Sequence, residues 1–494
     1  MAKTRVIMQF RAYPFIPVLL GIVHTTTAQT EMSAFPCSGS GISTTLATDY
    51  QAIGINPSNL GWSGKYEGKN VAFGLGDLGC SLYTDALEKD ELKKDFVKGF
   101  DDKFSYAEKL AVAKDFTDAE LTLNGDVRLL GVSLMTANAG GFAIHVADRF
   151  QWYNRFNKNT SEILYLGRTA PYFQHLLLAD SSVVDNDPDL PQSTLDQVVN
   201  GYNDRGEGKP ISKLMDDAEV TMDWVREYAL SWGYLIGTSG VVNWYGGVSI
   251  RYLTGFAHAD VGYEDGEFKA FSALSPGFDI DYGDAGLSNP STRSGSIMTP
   301  VGSGVSGDIG FSTFIKNVVR VGVSYTNLGV MTWNGNVYTA QNDTLYELSS
   351  AGFDSYNIFD NADLVLGEHG ILKWEGKKQE KIATPQQTRI GASYGIKEIA
   401  EVGFDVIIPT NKVAGNYESP VFALGGQVSP KNFFTISLGM TTGGNYDTRV
   451  PMGLTLRLPT GVWEVGVATR DIITLFSQST PTLSMCAGFL RFRV

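Results

Sequence analysis

From Trp224 to Ile236 the chain alternates one residue at a time. Trp224, Arg226, Tyr228, Leu230, Trp232, Tyr234 and Ile236 share one face, and Val225, Glu227, Ala229, Ser231, Gly233 and Leu235 share the other. Side chains of an extended strand point to opposite sides in turn, so this segment predicts a strand with one large apolar face and one small or polar face. A soluble sandwich would turn the apolar face into its core. The run is thirteen residues long, however, against about five or six in globular sheets. A tilted strand needs about 9–11 residues to cross the hydrocarbon of a bilayer. Arg226, near one end of the apolar face, has the reach to snorkel toward headgroups.

The next strand repeats the pattern after a short turn at Thr238-Ser239-Gly240: Val248, Ile250 and Tyr252 oppose Gly247, Ser249 and Arg251. Leu121–Met135 and Gly141–Tyr153 pair around Thr136–Ala139, Asp308–Ile315 and Val318–Trp333 around Lys316-Asn317, and Arg389–Gly395 and Glu401–Ile408 around Ile396–Glu398. Val421–Val428 with Phe433–Met440, and Met452–Leu458 with Trp463–Thr469, complete the series. Short turns on one side and long loops on the other are the asymmetry of outer-membrane barrels. Closure is required because lipid cannot satisfy an unpaired backbone donor. At the C-terminus Leu490, Phe492 and Val494 alternate with Arg491 and Arg493, as a closing strand would. This ending resembles the C-terminal signal of barrel-assembly clients, with Val494 in place of the usual aromatic. The expected fold is all-β: a transmembrane antiparallel β-barrel of about fourteen strands with long, partly helical extracellular loops.

Some segments do not alternate. Asp85–Phe116 reads as helical, with Leu87, Leu92, Phe96 and Phe100 near helical spacing and Asp85/Glu88 at the offset of a capping box. Arg155–Asp217, Pro276–Gly304 and Asn334–Pro385 are rich in Asp, Asn, Ser and Gly, and would form loops, lids or inward plugs.

The N-terminus has a basic start (Lys3, Arg5, Arg11), an apolar run from Ala12 to Val23 and small residues at Thr26-Thr27-Ala28. That pattern predicts a secretory signal peptide over 1–28, with Gln29 as the mature terminus. The expected layout is therefore signal 1–28, an N-terminal segment 29–69 and barrel 70–494. Removing the signal takes three basic residues and no acid, so the formal charge moves from -14 to -17. An acidic chain argues against nucleic acid as a partner. The 55 glycines, with aromatics at 12%, suit closely turned strands and aromatic girdles.

Catalytic signatures are lacking: there is no G-x-S-x-G elbow and no complete Walker A. No enzyme activity and no cofactor is expected. His145, His175, His258 and His369 are scattered. Asp185/Asp187/Asp189 and Asp279/Asp281/Asp284 are weak calcium candidates without an EF-hand pattern, and solvated loops suit them better. Cys37, Cys80 and Cys486 form no C-x-x-C pair. Free thiols are the simpler reading, with a Cys37–Cys80 disulfide as the alternative, and Cys486 reads as a small apolar filler.

Ala47-Thr48-Asp49-Tyr50, followed by Gly54-Ile55-Asn56-Pro57-Ser58-Asn59-Leu60, resembles the N-terminal hatch of the FadL-type outer-membrane transporters. That family carries an acidic residue and then Asn-Pro-Ala before the first strand; here Ser58 replaces the Ala and Asn59 a common Gly. Gly310–Gly329, ending in Asn-Leu-Gly, and the Pro-initiated Thr384–Gly391 resemble further family patterns. The overall layout is similar to members from the Bacteroidota. The resemblance implies a fourteen-stranded barrel plugged by its N-terminal segment, with Asp49, Asn56, Pro57 and Ser58 as the hatch motif. Independently, Pro57 holds Asn56 extended and makes Asn-Pro a turn initiator.

Two function classes follow from the resemblance. One is passive uptake of small hydrophobic compounds across the bacterial outer membrane, with Phe96, Phe100, Phe104, Tyr172 and Phe173 lining the entrance. The other is a non-transporting accessory barrel of a larger assembly, such as a secretion or barrel-assembly complex. The expected partners are outer-membrane lipid, a hydrophobic small molecule and, in the second class, other outer-membrane proteins.

Overall fold

A computed structural model describes residues 35–62, 68–92, 103–264, 266–356, 363–367, 370–396, 399–431, 433–444, 446–458, 462–477, 479 and 481–494. The expected signal peptide lies outside the described residues, as do Phe96, Phe100 and His369.

Fourteen strands form one closed antiparallel barrel. In chain order they are β1 Val71–Thr84, β2 Glu120–Thr136, β3 Gly140–Arg155, β4 Glu219–Ser239 and β5 Val242–Glu264. Then come β6 Gly302–Ile315, β7 Val319–Trp333, β8 Gln387–Ile396, β9 Ala400–Pro409 and β10 Val421–Lys431. The last four are β11 Phe434–Gly443, β12 Met452–Arg457, β13 Trp463–Thr469 and β14 Thr482–Arg493. Each pairs with its chain neighbour, and β14 returns to β1 with Phe73 opposite Phe492. Every hairpin expected from the alternation is present. The strands themselves are longer: β4 runs to 21 residues and β5 to 23. Their upper halves leave the apolar zone, where Ala257–Glu264 pairs with the strand Glu267–Leu274.

The barrel is inside-out relative to a soluble sandwich. On β4 the large residues Leu230, Trp232 and Ile236 are exposed at 52%, 40% and 62%. The intervening Glu227, Ala229, Ser231 and Gly233 are buried. The lumen is therefore small and polar, and the outer wall apolar. Arg226 does not snorkel. It lies opposite Asp148 on β3 and donates to it twice, Nε to Oδ1 at 2.6 Å and Nη2 to Oδ2 at 2.7 Å. A carboxylate within fork geometry is a better partner than a distant headgroup.

The long loops fold over one end as a lid with its own hydrophobic core. Phe116, Phe156, Ile163, Leu166, Phe173, Leu214, Tyr338, Leu372 and Trp374 contribute to it from separate loops and strand ends. The helical expectation for Asp85–Phe116 meets helix twice among the described residues: residues 89–92 are helical, and a second helical stretch spans Tyr106–Asp115 with a capping box at Ser105/Glu108. Asp85 instead accepts a hydrogen bond from the Glu120 amide. Serine caps because its hydroxyl takes the N3 amide while Glu returns to the cap amide.

Candidate functional site

The N-terminal segment enters at the short-turn end and fills the lumen there. Asn56 starts a short 3-10 turn over Pro57–Gly61. Its Oδ1 accepts from the Ser58 amide at 3.2 Å and hydroxyl at 2.7 Å, while Nδ2 donates to Thr44 O at 3.2 Å and Ser312 Oγ at 3.1 Å. Asn59 Nδ2 donates to Thr44 O and Ala47 O. Asn56, Ser58 and Asn59 are fully buried. Their amides and hydroxyls hold the plug's own backbone and tie it to β6.

The wall meets the plug with charge. Asp405 on β9 accepts from the Ser43 and Thr44 amides at 2.6 and 2.7 Å. Asp49 of the plug pairs with Arg491 at 2.5 Å and Arg493 at 3.3 Å on β14, and Glu464 on β13 pairs with both arginines. The alternating arginines of the C-terminus are thus inward ligands of the plug. Arg320 on β7 pairs with Glu401 at 2.8 Å and lies 4.7 Å from the Trp62 ring centroid. A cation over an aromatic face is attracted to its quadrupole.

Glycines set the distance. On each of β1 to β12 an inward glycine touches the plug so closely that an added Cβ would fall within 4 Å of plug atoms. Ser40 O would be 1.9 Å from a Cβ at Gly425 and 2.0 Å from one at Gly439; Leu60 O would be 2.2 Å from one at Gly141. Gly141, Gly233, Gly247 and Gly310 follow one another across adjacent strands as direct partners. Gly403, Gly425 and Gly439 do the same. Strand glycines mark close backbone approach, and here they form a belt around the plug.

Between plug and lid lies a lumenal cavity of about 90 Å³. Its lining is part apolar, with Phe150, Val225, Leu253, Met331 and Ile382, and part charged or polar, with Asp126, Arg149, Asp223, Glu227, Arg251 and His258. Glu227 bonds Arg149 at 2.9 Å, His145 at 2.5 Å and Arg251 at 3.3 Å. Arg251 also pairs with Asp308.

The wall beside this cavity is irregular across three neighbouring strands. Two consecutive residues face outward at Leu75-Gly76 on β1, Leu129-Leu130 on β2 and Phe489-Leu490 on β14. The register shifts against β3 between Arg128 and Leu130 and against β13 between Glu464 and Gly466, so β2 and β14 each carry a bulge. Between them β1 keeps register with both neighbours, and its ladder to β14 lacks pairs between Leu75↔Leu490 and Leu78↔Ala487. Asp126, on the cavity wall, is three residues from Leu129, or about 10 Å along the strand.

The structure brings Asn56, Pro57 and Ser58 together in one turn against Ser312 of β6, while Asp49 stands apart from them against Arg491 and Arg493 of β14. The entrance candidates are dispersed through the lid. Phe104 meets Tyr356 edge-on, Tyr172 donates its hydroxyl to Leu345 O, and Phe173 is in the lid core. Asp185 faces His175, and Asp187 accepts from the Asp189 amide. Asp281 accepts from the Gly283 amide, Asp279 adopts a left-handed backbone and Asp284 begins a short helix. Among the described residues no group of three or more His, Cys, Asp or Glu is placed to hold a metal. The three cysteines are free and buried. Burial, with Asp405 nearby, pushes the Cys37 thiol up and makes it a poor nucleophile.

Fold and site together define a fourteen-stranded transmembrane β-barrel closed from within by its own N-terminal segment. The chain belongs to DUF5723, a family of unknown function, whose signature matches residues 181–463, more than half of its length. No curated protein matches the sequence. Solved structures similar to it include the toluene transporter TodX of Pseudomonas putida, at 9% identity over 95% of this chain and 98% of that one, with a TM-score of 0.40. The toluene transporter TbuX of Ralstonia pickettii, at 10% identity, covers 95% and 98% with a TM-score of 0.39. A FadL homologue of Pseudomonas aeruginosa, at 10% identity, covers 95% and 97% with a TM-score of 0.36. These likenesses are loose, and the functional reading rests on the barrel's own geometry.

Proposed function

We propose that this chain sits in a bacterial outer membrane and admits small hydrophobic compounds passively. The observation that carries the reading is the pair of bulges on β14 and β2, with the gap in the β1–β14 ladder between them, beside a partly apolar lumenal cavity. A broken ladder is the weakest part of a barrel wall. Here it is flanked outside by Leu75, Leu129, Phe489 and Leu490, which suit lipid and apolar solutes alike. The glycine belt closes the direct axial route, so exchange through the wall is the shorter path. The proposed route is from the loop-side entrance, around Phe104 and Tyr172, into the cavity and out beside the bulges. The hatch motif keeps water and ions from following.

Influx of toluene into liposomes carrying the full chain tests this. The expected result is faster influx than in empty liposomes, lost when Ala414→Phe fills the cavity from its loop wall. Equal influx with and without the protein would contradict the proposal.

A further inference from the structure

The cavity holds polar atoms that the barrel leaves unused. Trp333 Nε1, His258 Nε2 and both Asn124 side-chain polar atoms are buried without a hydrogen-bond partner among the described residues. These residues are exposed by 1%, 4% and 2% respectively, and all three line the cavity. Buried polar groups are normally satisfied, and each exception calls for a cause. Leaving one unmade costs about 1–3 kcal/mol, which is out of place in a passage lined for purely apolar cargo.

The donor and acceptor pattern can be read off. His258 Nδ1 lies 3.3 Å from Asp223 Oδ1. A carboxylate only accepts, so Nδ1 carries the hydrogen, and in that tautomer Nε2 offers a lone pair. The Trp333 indole, stacked on His258 at 5.1 Å between centroids, offers an N–H. Asn124 offers one donor pair and one acceptor. A hydroxyl fits this set, since it donates to His258 Nε2 while accepting from an N–H. Phe150, Leu253 and Met331 in the same lining take an apolar body.

Charge excludes an acid. The lining cations are Arg149 and Arg251, and Glu227 binds both. A carboxylate ligand would meet three lining carboxylates, Asp126, Asp223 and Glu227, against two guanidinium groups. Size limits the rest. At ~10–15 Å³ for each water-sized group, a cavity of about 90 Å³ takes roughly six to nine such groups, the size of a single hydroxylated ring.

We infer that the lumenal cavity is a binding site for small neutral hydroxylated aromatic compounds of the phenol class, held by Asn124, His258 and Trp333. The inference deepens the uptake reading and rests on it for how the ligand arrives.

Calorimetric titration of the detergent-solubilised full chain with phenol, toluene and benzoate tests it. Phenol should bind saturably at one site, toluene about tenfold more weakly for want of the hydroxyl, and benzoate without saturation. Trp333→Phe keeps the ring and loses the N–H; Asn124→Leu loses the amide. Each should weaken phenol by about tenfold and leave toluene within about twofold, in protein whose heat-modifiable migration shows a folded barrel. Toluene binding as tightly as phenol, benzoate binding more tightly, or no saturable phenol binding would overturn the inference. If toluene still enters liposomes in that case, the uptake reading stands without this site. If phenol binds saturably but nothing enters liposomes, the site stands and the uptake reading falls.

Discussion

A methyl group at position 439 would lie 2.0 Å from the carbonyl oxygen of Ser40. That oxygen belongs to the plug backbone, which cannot rotate away as a side-chain tip can. Gly439→Ala is therefore expected to lift the plug from β10 and β11. Cys37, buried at 2% exposure, reports on this directly. In a chain with Cys80→Ser and Cys486→Ala, a membrane-impermeant maleimide should label Cys37 slowly in the parent and much faster with Gly439→Ala. Unchanged protection would show that the plug tolerates the methyl group. Little of this scale was legible in the sequence. Asn56-Pro57 announced a turn, because proline restricts its neighbour wherever it stands. The glycine belt did not announce itself. Each glycine reads as an ordinary small residue of a strand, and the contact that explains Gly439 comes from Ser40, far away along the chain. Arg491 and Arg493 likewise showed their alternation but not their partner Asp49.

At the scale of elements the sequence was most informative, because period-two alternation and short turns are local properties. β4 and β5 stood out by their outward Leu230, Ile250 and Tyr252. Their length was underread, since the strands continue past the apolar zone into the lid and lose the alternation there. The capping box read at Asp85/Glu88 is formed instead at Ser105/Glu108, where serine supplies the hydroxyl. The outward face yields a prediction. Leu230→Arg puts a charge on the lipid side, which costs about 2–4 kcal/mol near the midplane of a bilayer. Urea unfolding of the chain reconstituted in vesicles should show a loss of that order. An unchanged or raised stability would mean that this face meets water.

At the scale of the molecule, strand number was readable because each hairpin contributes its own signal and the hairpins add up. The lid core was not, since Phe116, Leu166, Leu214 and Trp374 come from loops with no common period. Nor was the broken ladder, which shows only when β14, β1 and β2 are laid side by side. The assembled picture is a barrel closed twice, by the plug at the short-turn end and by the lid at the other, with a small cavity between and a weak line in the wall beside it. Such a barrel should pass small uncharged solutes and block ions. Planar-bilayer conductance tests that claim most directly, using the full chain and a chain lacking residues 29–62, each confirmed as a folded barrel. The full chain is predicted to insert without conductance steps, and the chain without its plug to give discrete steps. Stable ion conductance by the full chain would contradict the account.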